Sequence, residues 1–440
     1  MTSVSPPPGP GVDALVVGAG VVGCSIAHDL SRRGWRVLVV DKGPTVACGS
    51  TSASSAIVRF HYSTLDGVAL SWESAQLWQR WAEHLGATDR TELARFHRTG
   101  MLVLDTPGAD AGPIHRLFDK VGVPYETMDP ATIGRRFPAL DLGRYFPPKR
   151  VDDDDFFADA HGEVSGYFTP DGGYVDDPSL AARNLMDAAR RHGARFCFHS
   201  EVVAIDHDGD RVGAVHLADG STVRAGVVVN AAGPHSSMLN RLAGVEDSQS
   251  IRTRPLRQEV HVVPAGTGLL QGDGVPCVGD TDLGTYFRPQ VGGTILVGGI
   301  EPECDPLVWV DDPDHFDERP SVHAFQAQTW RLARRIPELG VPGRPVGLAA
   351  LYDVTSDWVP VYDRSDLDGY YQAIGTSGNQ FKNAPMVGLL MGELIEACES
   401  GHDHDAAPVH VRGPVTGNVI DVGHFSRRRV PLATSHSVMG

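Results

Sequence analysis

Lysine is nearly absent from this chain of 440 residues: Lys42, Lys120, Lys149 and Lys382 are all it has. Arginine carries the basic charge, and 55 acids against 38 bases leave a net charge of −17. That balance counts against a nucleic-acid partner and an anionic membrane surface. It says little about substrate charge, because a pocket can be locally positive on an acidic protein. The six cysteines (Cys24, Cys48, Cys197, Cys277, Cys304 and Cys398) are scattered and form no CxxC pair. They read as free thiols in a cytoplasmic, reducing setting, with Cys24 in the core. No stretch approaches the roughly 18 apolar residues a spanning helix needs. Residues 1–11 contain Pro6, Pro7 and Pro8 but neither a basic start nor an apolar run, so they read as a disordered arm, not a signal peptide. No internal repeat is visible. Apolar and charged fractions are ordinary for a globular protein, and the length suits two domains.

What is present is organised around residues 12–41. Leu15-Val16-Val17 is a short strand-like run, followed at once by Gly18-Ala19-Gly20-Val21-Val22-Gly23. Val22, Ile26 and Leu30 then recur on one helical face, and Val37–Val40 ends in Asp41. Strand, glycine turn, helix, strand and acid in this order bind a dinucleotide. Gly18 permits the tight turn, Gly20 the approach of a pyrophosphate, and Gly23 close helix–strand packing. The helix-start N–H groups face the phosphates. Asp41 is placed to accept hydrogen bonds from an adenosine ribose, and its charge disfavours a 2′-phosphate.

Lys42-Gly43 and a hydroxyl-rich loop, Cys48 to Ala56, follow. Alone the loop reads as a solvent-exposed linker. Directly after the ribose acid it reads as donors for a cofactor's polar tail, from Ser50, Thr51, Ser52, Ser55 and the backbone of Ala56. Residues 66–85 are expected helical, with Leu70, Leu77 and Trp81 facing the core; 99–104 is a strand and 111–121 a helix. Asp129-Pro130 caps a short helix to Arg136. Asp152–Asp155 reads as a solvated acidic loop. Gly172 to Pro178 reads as a turn before a helix with Pro178 in its first turn. Ala194–Ser200 and Glu201–Ile205 are extended, and Val212–Leu217 and Thr222–Val229 form a hairpin around Asp219-Gly220. That strand runs into Asn230-Ala231-Ala232-Gly233, small residues that let backbone approach a flat ligand. A second close-approach loop is more than an NAD domain needs and points to FAD.

Residues 256–300 are strand-rich, with Gly292-Gly293 in a turn, and 311–336 are expected mostly helical. This block, with 97–160, is the candidate substrate domain built on an antiparallel sheet. Tyr370–Ile374 is a strand feeding Gly375-Thr376-Ser377-Gly378-Asn379-Gln380-Phe381-Lys382-Asn383-Ala384-Pro385, and a helix follows to about Glu399. The glycine loop again aims helix-start N–H groups at a ligand. His402, His404 and His410 in the acidic stretch beyond read as solvated, with no metal site expected.

Four of these segments, in this order, resemble the D-amino-acid oxidase superfamily of FAD-dependent oxidoreductases: Gly18 to Asp41, Ser50 to Arg59 with Tyr62, Val228 to Gly233, and Gly375 to Pro385. The sarcosine oxidase, glycine oxidase and dimethylglycine dehydrogenase branch is most similar. Tyr286-Phe287-Arg288-Pro289 before Leu296-Val297-Gly298-Gly299, and Tyr352 to Pro360, support it. The resemblance implies an α/β fold: a Rossmann-type FAD-binding domain from 12–96, 161–255 and 345–425, a substrate domain from 97–160 and 256–344, and a tail at 426–440. It implies FAD contacts from the segments above, including Val202, Val203, Ala231, Ala232, Gly233 and Gly378 to Lys382. It implies oxidation of a C–N bond in an amine or amino acid, with oxygen or an electron-transfer partner as acceptor.

Lys382 matches a lysine close to substrate and flavin, and Tyr352 a pocket tyrosine. Arg59 matches a basic residue that lies by the flavin or anchors the structure. Arg288 and Tyr286 lie in the roof strand as carboxylate partners. Ala350 stands at the cysteine that attaches flavin in the monomeric sarcosine oxidase branch, which implies non-covalent FAD. Leu296 and Ile300 stand near that branch's oxygen-activating lysine and pocket histidine. Losing both counts against fast oxidase chemistry and a sarcosine substrate, and opens the reading to an electron-transfer dehydrogenase or an oxidase of a larger, more apolar amine. A 2-hydroxy-acid substrate, the flavin subunit of a hetero-oligomer, and a self-associating protein also fit the pattern.

Overall fold

The computed structural model describes residues 11–88, 91–106, 110–266, 269 and 274–440; the expected arm, save Gly11, lies outside the described residues. Strand β1 (Val12–Val17), helix α1 (Val21–Arg32) and strand β2 (Val37–Val40) form where the apolar periodicity changes from run to stripe and back. β1 sits between β2 and Thr222–Asn230, parallel to both. Arg195–Cys197 extends the parallel sheet beyond β2, and Tyr370–Ile374 beyond Thr222–Asn230. Val17 is level with Val40 and with Asn230. Gly18, Asp41 and Ala231 therefore emerge together at the carboxyl ends of the strands, where ligands of such sheets bind. The expected hairpin, Arg211–Leu217 against Thr222–Asn230, continues the sheet, with Val202–Asp208 outside it. α1 packs against the helices Pro178–Arg191 and Ala384–Glu399.

The second sheet has nine strands. It runs Val308–Trp309, Thr253–Pro264, Thr294–Gly299, Thr285–Gln290, Cys277–Asp280, Met101–Leu104, Gly166–Thr169 and Glu126–Met128, with Gly347–Thr355 also paired to Thr253–Pro264. Its pairings are antiparallel except that of Cys277–Asp280 with Met101–Leu104. One hydrophobic core includes Val16 and Val39 of the first sheet and Met101, Tyr286 and Leu296 of the second.

Several expectations need correcting. Gly166–Thr169 and Gly347–Thr355, assigned by sequence to the dinucleotide side, pair into the second sheet along Met101–Leu104 and Thr253–Pro264. Gly173–Val175 is a strand and not a turn, bridging Ile57–Val58 and Phe96–His97. A Cβ at Gly173 would lie 2.0 Å from the His97 carbonyl oxygen, so this glycine serves close strand approach. Only Val322–Arg335 of 311–336 is helical, its start capped by Ser321. Pro313 and Pro320 withhold N–H groups from the segment before it. The expected helix 66–85 is two, Leu65–Gln79 and Trp81–Leu85. His404 is buried beside Asp363, not solvated. Residues 426–440 are no free tail: Arg427 is fully buried on Asp363, Asp366 and Asp405, and Val438 and Met439 are buried.

Candidate active site

The dinucleotide cradle is built by backbone. Gly18 has φ +112°, and a Cβ there would lie 2.2 Å from the Ala231 carbonyl oxygen. A Cβ at Gly23 would lie 2.0 Å from the Gly18 carbonyl oxygen. α1 starts from Gly20 with no side-chain cap, so first-turn N–H groups are left for a ligand. The hydroxyl-rich loop reaches this point, since the Val21 N–H donates to Thr51 Oγ1 at 3.0 Å. Asp41 accepts from the Ala19 and Gly43 N–H groups, both at 2.7 Å, and sits at the rim of the cradle. Val22 is buried on α1, and Ala231, Ala232 and Gly233 (φ +56°) close the facing side.

Other expected cofactor residues are placed less directly. Lys42 contacts Asp314 and His235. Ser50 donates to the Leu351 carbonyl at 2.6 Å, and Ser52 is exposed. Val202 is half-buried and Val203 exposed, although Ser200 just before them donates its N–H to the Asp41 carbonyl at 2.9 Å.

The second half of the site is the glycine loop. Asp353 anchors it by accepting the Gly375 N–H at 2.6 Å, while the Ser377 N–H donates to the Asp353 carbonyl at 2.7 Å. Burial pushes the Asp353 carboxyl up to about 7. Tyr352 packs flat against Gly378, where a Cβ would meet its ring at 2.3 Å. The loop presents Asn379, Phe381 and Lys382 to a cavity whose walls also include Arg59, Tyr286 and Ala56. Gln380 is buried behind them, on the Tyr362 hydroxyl.

Two cations share the cavity wall. Lys382 donates to the Asn379 carbonyl at 2.5 Å and lies 5.0 Å from the centre of the Tyr62 ring. Burial, and then the Arg59 charge, hold its amine well below the usual lysine range. Arg59 lies 5.0 Å from the same ring and donates to the carbonyls of His61 and Val438; burial lowers it too. Arg288 does not line the cavity. It donates to the Ser55 carbonyl at 2.6 Å and stacks 4.3 Å from Tyr174, holding the hydroxyl-rich loop to the roof strand. Tyr352 stands behind Tyr286, its hydroxyl held well above the ordinary value by burial and then by Tyr286.

Sequence reasoning missed Glu301, one position beyond Ile300. Its enclosed carboxyl accepts from Gln258 Nε2 at 3.0 Å and from the Val438 N–H at 2.7 Å, and burial pushes it up to about 8. Its φ of +54° turns the chain after the roof strand, a feature no residue type announces. Val438 and Met439, which also line the cavity, were missed because nothing local links them to it. Among the described residues no cluster of metal-ligating side chains exists, and no helix is long and apolar enough to cross a membrane.

A cradle that any Cβ would fill, an uncapped helix start and an acid at the rim define a dinucleotide-dependent protein. The buried Asn379 Nδ2 on the glycine loop has no hydrogen-bond partner among the described residues. The chain belongs to the DAO family, described as FAD dependent oxidoreductase, which matches residues 13–394. This bears out the resemblance drawn from the four segments. The chain is 26% identical to glycine oxidase of Geobacillus kaustophilus, over 89% of this chain and 94% of that protein. It is 27% identical to monomeric sarcosine oxidase of Streptomyces avermitilis, over 89% and 96%. The fold matches the crystal structure of L-proline dehydrogenase from P. horikoshii with TM-score 0.74 and 22% identity, covering 95% and 97% of the two chains. The protein is an FAD-dependent oxidoreductase, and FAD, when bound, supplies a ring that accepts hydride.

Proposed function

We propose that this protein oxidises the C–N bond of a carboxylate-bearing amine, releasing an imine that water hydrolyses. The observation that carries the reading is the pair Arg59 and Lys382, two buried cations on one cavity wall beside the glycine loop. A carboxylate entering there favours the Lys382 charge that burial and Arg59 disfavour in the empty site. The names of the related glycine oxidase, sarcosine oxidase and L-proline dehydrogenase agree with such a substrate. Gly18, Gly20, Gly23, Thr51 and Asp41 hold the cofactor's diphosphate and ribose, and Asn379 with the glycine loop meets its far end. Arg59 and Lys382 orient the substrate, and Tyr286 with Met101 keeps bulk water from it. Ala350 offers no sulfur, so FAD is held without a covalent bond there. Oxygen or a partner carrier takes the electrons.

The test is an anaerobic titration of the FAD-loaded protein with glycine, N-methylglycine, L-proline and D-alanine, and with lactate as the hydroxy-acid control. Bleaching by an amino compound, with ammonia or free amine as product, is expected. Bleaching by lactate alone would overturn the C–N assignment. Admitting air then separates oxidase from dehydrogenase by the rate of reoxidation.

A further inference from the structure

Val438 is held by both ends of its own backbone. Its N–H donates to Glu301 Oε2 at 2.7 Å, and its carbonyl accepts from Arg59. A nitrogen and a carbonyl joined through one Cα are the framework of an α-amino acid. The nitrogen meets an acid and the carbonyl meets a cation, which is the polarity an amino acid zwitterion requires. Gln258 occupies the other Glu301 oxygen, at 3.0 Å. Among the described residues Glu301 forms no salt bridge: Arg59 and Asp305 act on it through space, and Tyr286 and Tyr352 face it. An enclosed carboxyl with one oxygen left to a mere amide is a site for a better donor.

The occupant belongs to no helix or strand, and among the described residues the segment before it is tied only at Leu432 and Thr434, both on Asp357. Val430, Pro431, Ala433, Ser435 and His436 are exposed, and 430–436 has no helix or strand. Burial begins again at Ser437, after a left-handed turn at His436 (φ +48°). Met439 packs near Gly279 beside Met101, and Ser63 donates to the Gly440 carbonyl at 2.9 Å. Residues 437–440 can leave without breaking any regular element.

We propose that Glu301 and Arg59 form a clamp for an α-amino acid, with Glu301 taking its amine, and that residues 437–440 fill this clamp until an amino acid displaces them. The proposal rests on the amino-acid reading above and adds the amine subsite and its internal competitor. An occupant present about nine-tenths of the time weakens apparent affinity about tenfold.

The experiment compares three FAD-loaded proteins: the full chain, a chain ending at His436, and that shortened chain with Glu301→Gln. Each is titrated anaerobically with propionate, a carboxylate without an amine, and with glycine and L-proline, following the flavin spectrum. The shortened chain should bind propionate and amino acids about tenfold more tightly. Glu301→Gln should then weaken amino acids about tenfold and leave propionate unchanged. Val438→Pro, which removes the N–H and fixes φ at that residue, should tighten propionate in the 440-residue chain and covers the case in which shortening prevents folding. Unchanged or weaker propionate binding after shortening or Val438→Pro, or no propionate binding at all, overturns the clamp, as does an equal effect of Glu301→Gln on both ligand types. If propionate and amino acids behave as expected but no amino compound bleaches the flavin, the clamp stands and the oxidation reading falls.

Discussion

Lys382 is buried beside a second cation, which makes its proton a reporter of ligand binding. The empty site disfavours its charge, through burial and Arg59. A carboxylate between the two favours that charge again, so binding and protonation of Lys382 are linked. Carboxylates should therefore bind more tightly as pH falls below the ordinary lysine range, with net proton uptake measurable by calorimetry in buffers of different ionisation enthalpy. Lys382→Met should abolish the uptake and lower kcat/KM about 100-fold while FAD stays bound. Glu301 acts in the opposite sense on stability. Its carboxyl titrates at about 8 folded, against an ordinary 4.5. The folded state binds the extra proton between these values, so this contribution is complete below about 4.5 and is lost as pH rises through about 8. Urea midpoints across that window should fall less steeply in Glu301→Gln than in the native protein. A slope unchanged by the substitution would place the titration elsewhere. Lys382 was legible because so few lysines compete for attention and its loop carries a pattern. Glu301 was not, because its burial depends on Val438, whose number differs by 137.

At the scale of elements, what could be read from the sequence was what local chemistry dictates. Asp129 caps its helix, the side chain accepting from the Thr132 N–H three residues on. β1, α1 and β2 follow from periodicity and glycine spacing alone. Partner strands did not: Gly166–Thr169 and Gly347–Thr355 have no local mark of which sheet they join. Gly173 was misread because a glycine that permits a turn and one that permits close strand approach look the same. Gly23 is a clearer case of the second kind, since a Cβ there strikes the Gly18 carbonyl. Backbone cannot yield as a side chain can, so Gly23→Ala should distort the turn at a cost of about 1–3 kcal/mol. FAD affinity should fall roughly tenfold to a hundredfold. The flavin-to-protein ratio after dialysis reads this directly, and retention of full flavin would show that the cradle is not where the diphosphate sits.

At the scale of the molecule, the two sheets share one hydrophobic core, and a buried ion network braces the second of them. Arg335, fully buried, donates to Asp280 at 2.7 Å and Asp282 at 3.0 Å, and to the carbonyls of Asp141 and Gly143. It fastens the helix Val322–Arg335 and the segment 141–146 to the outer face of the second sheet. Arg335→Met would strand two buried carboxyls, one of which, Asp282, is already raised by burial and by Asp280. Loss of one partner from such a network costs about 3–5 kcal/mol. Because Val16, Tyr286 and Leu296 belong to one hydrophobic cluster, that loss cannot stay within the substrate sheet. FAD release and loss of secondary structure should shift together, as one transition at lower denaturant, although Arg335 lies outside the cradle. Adding Asp280→Asn and Asp282→Asn should restore part of the loss by removing the stranded charges. If FAD stays bound through a first transition, the sheets unfold independently and the shared core does not couple them.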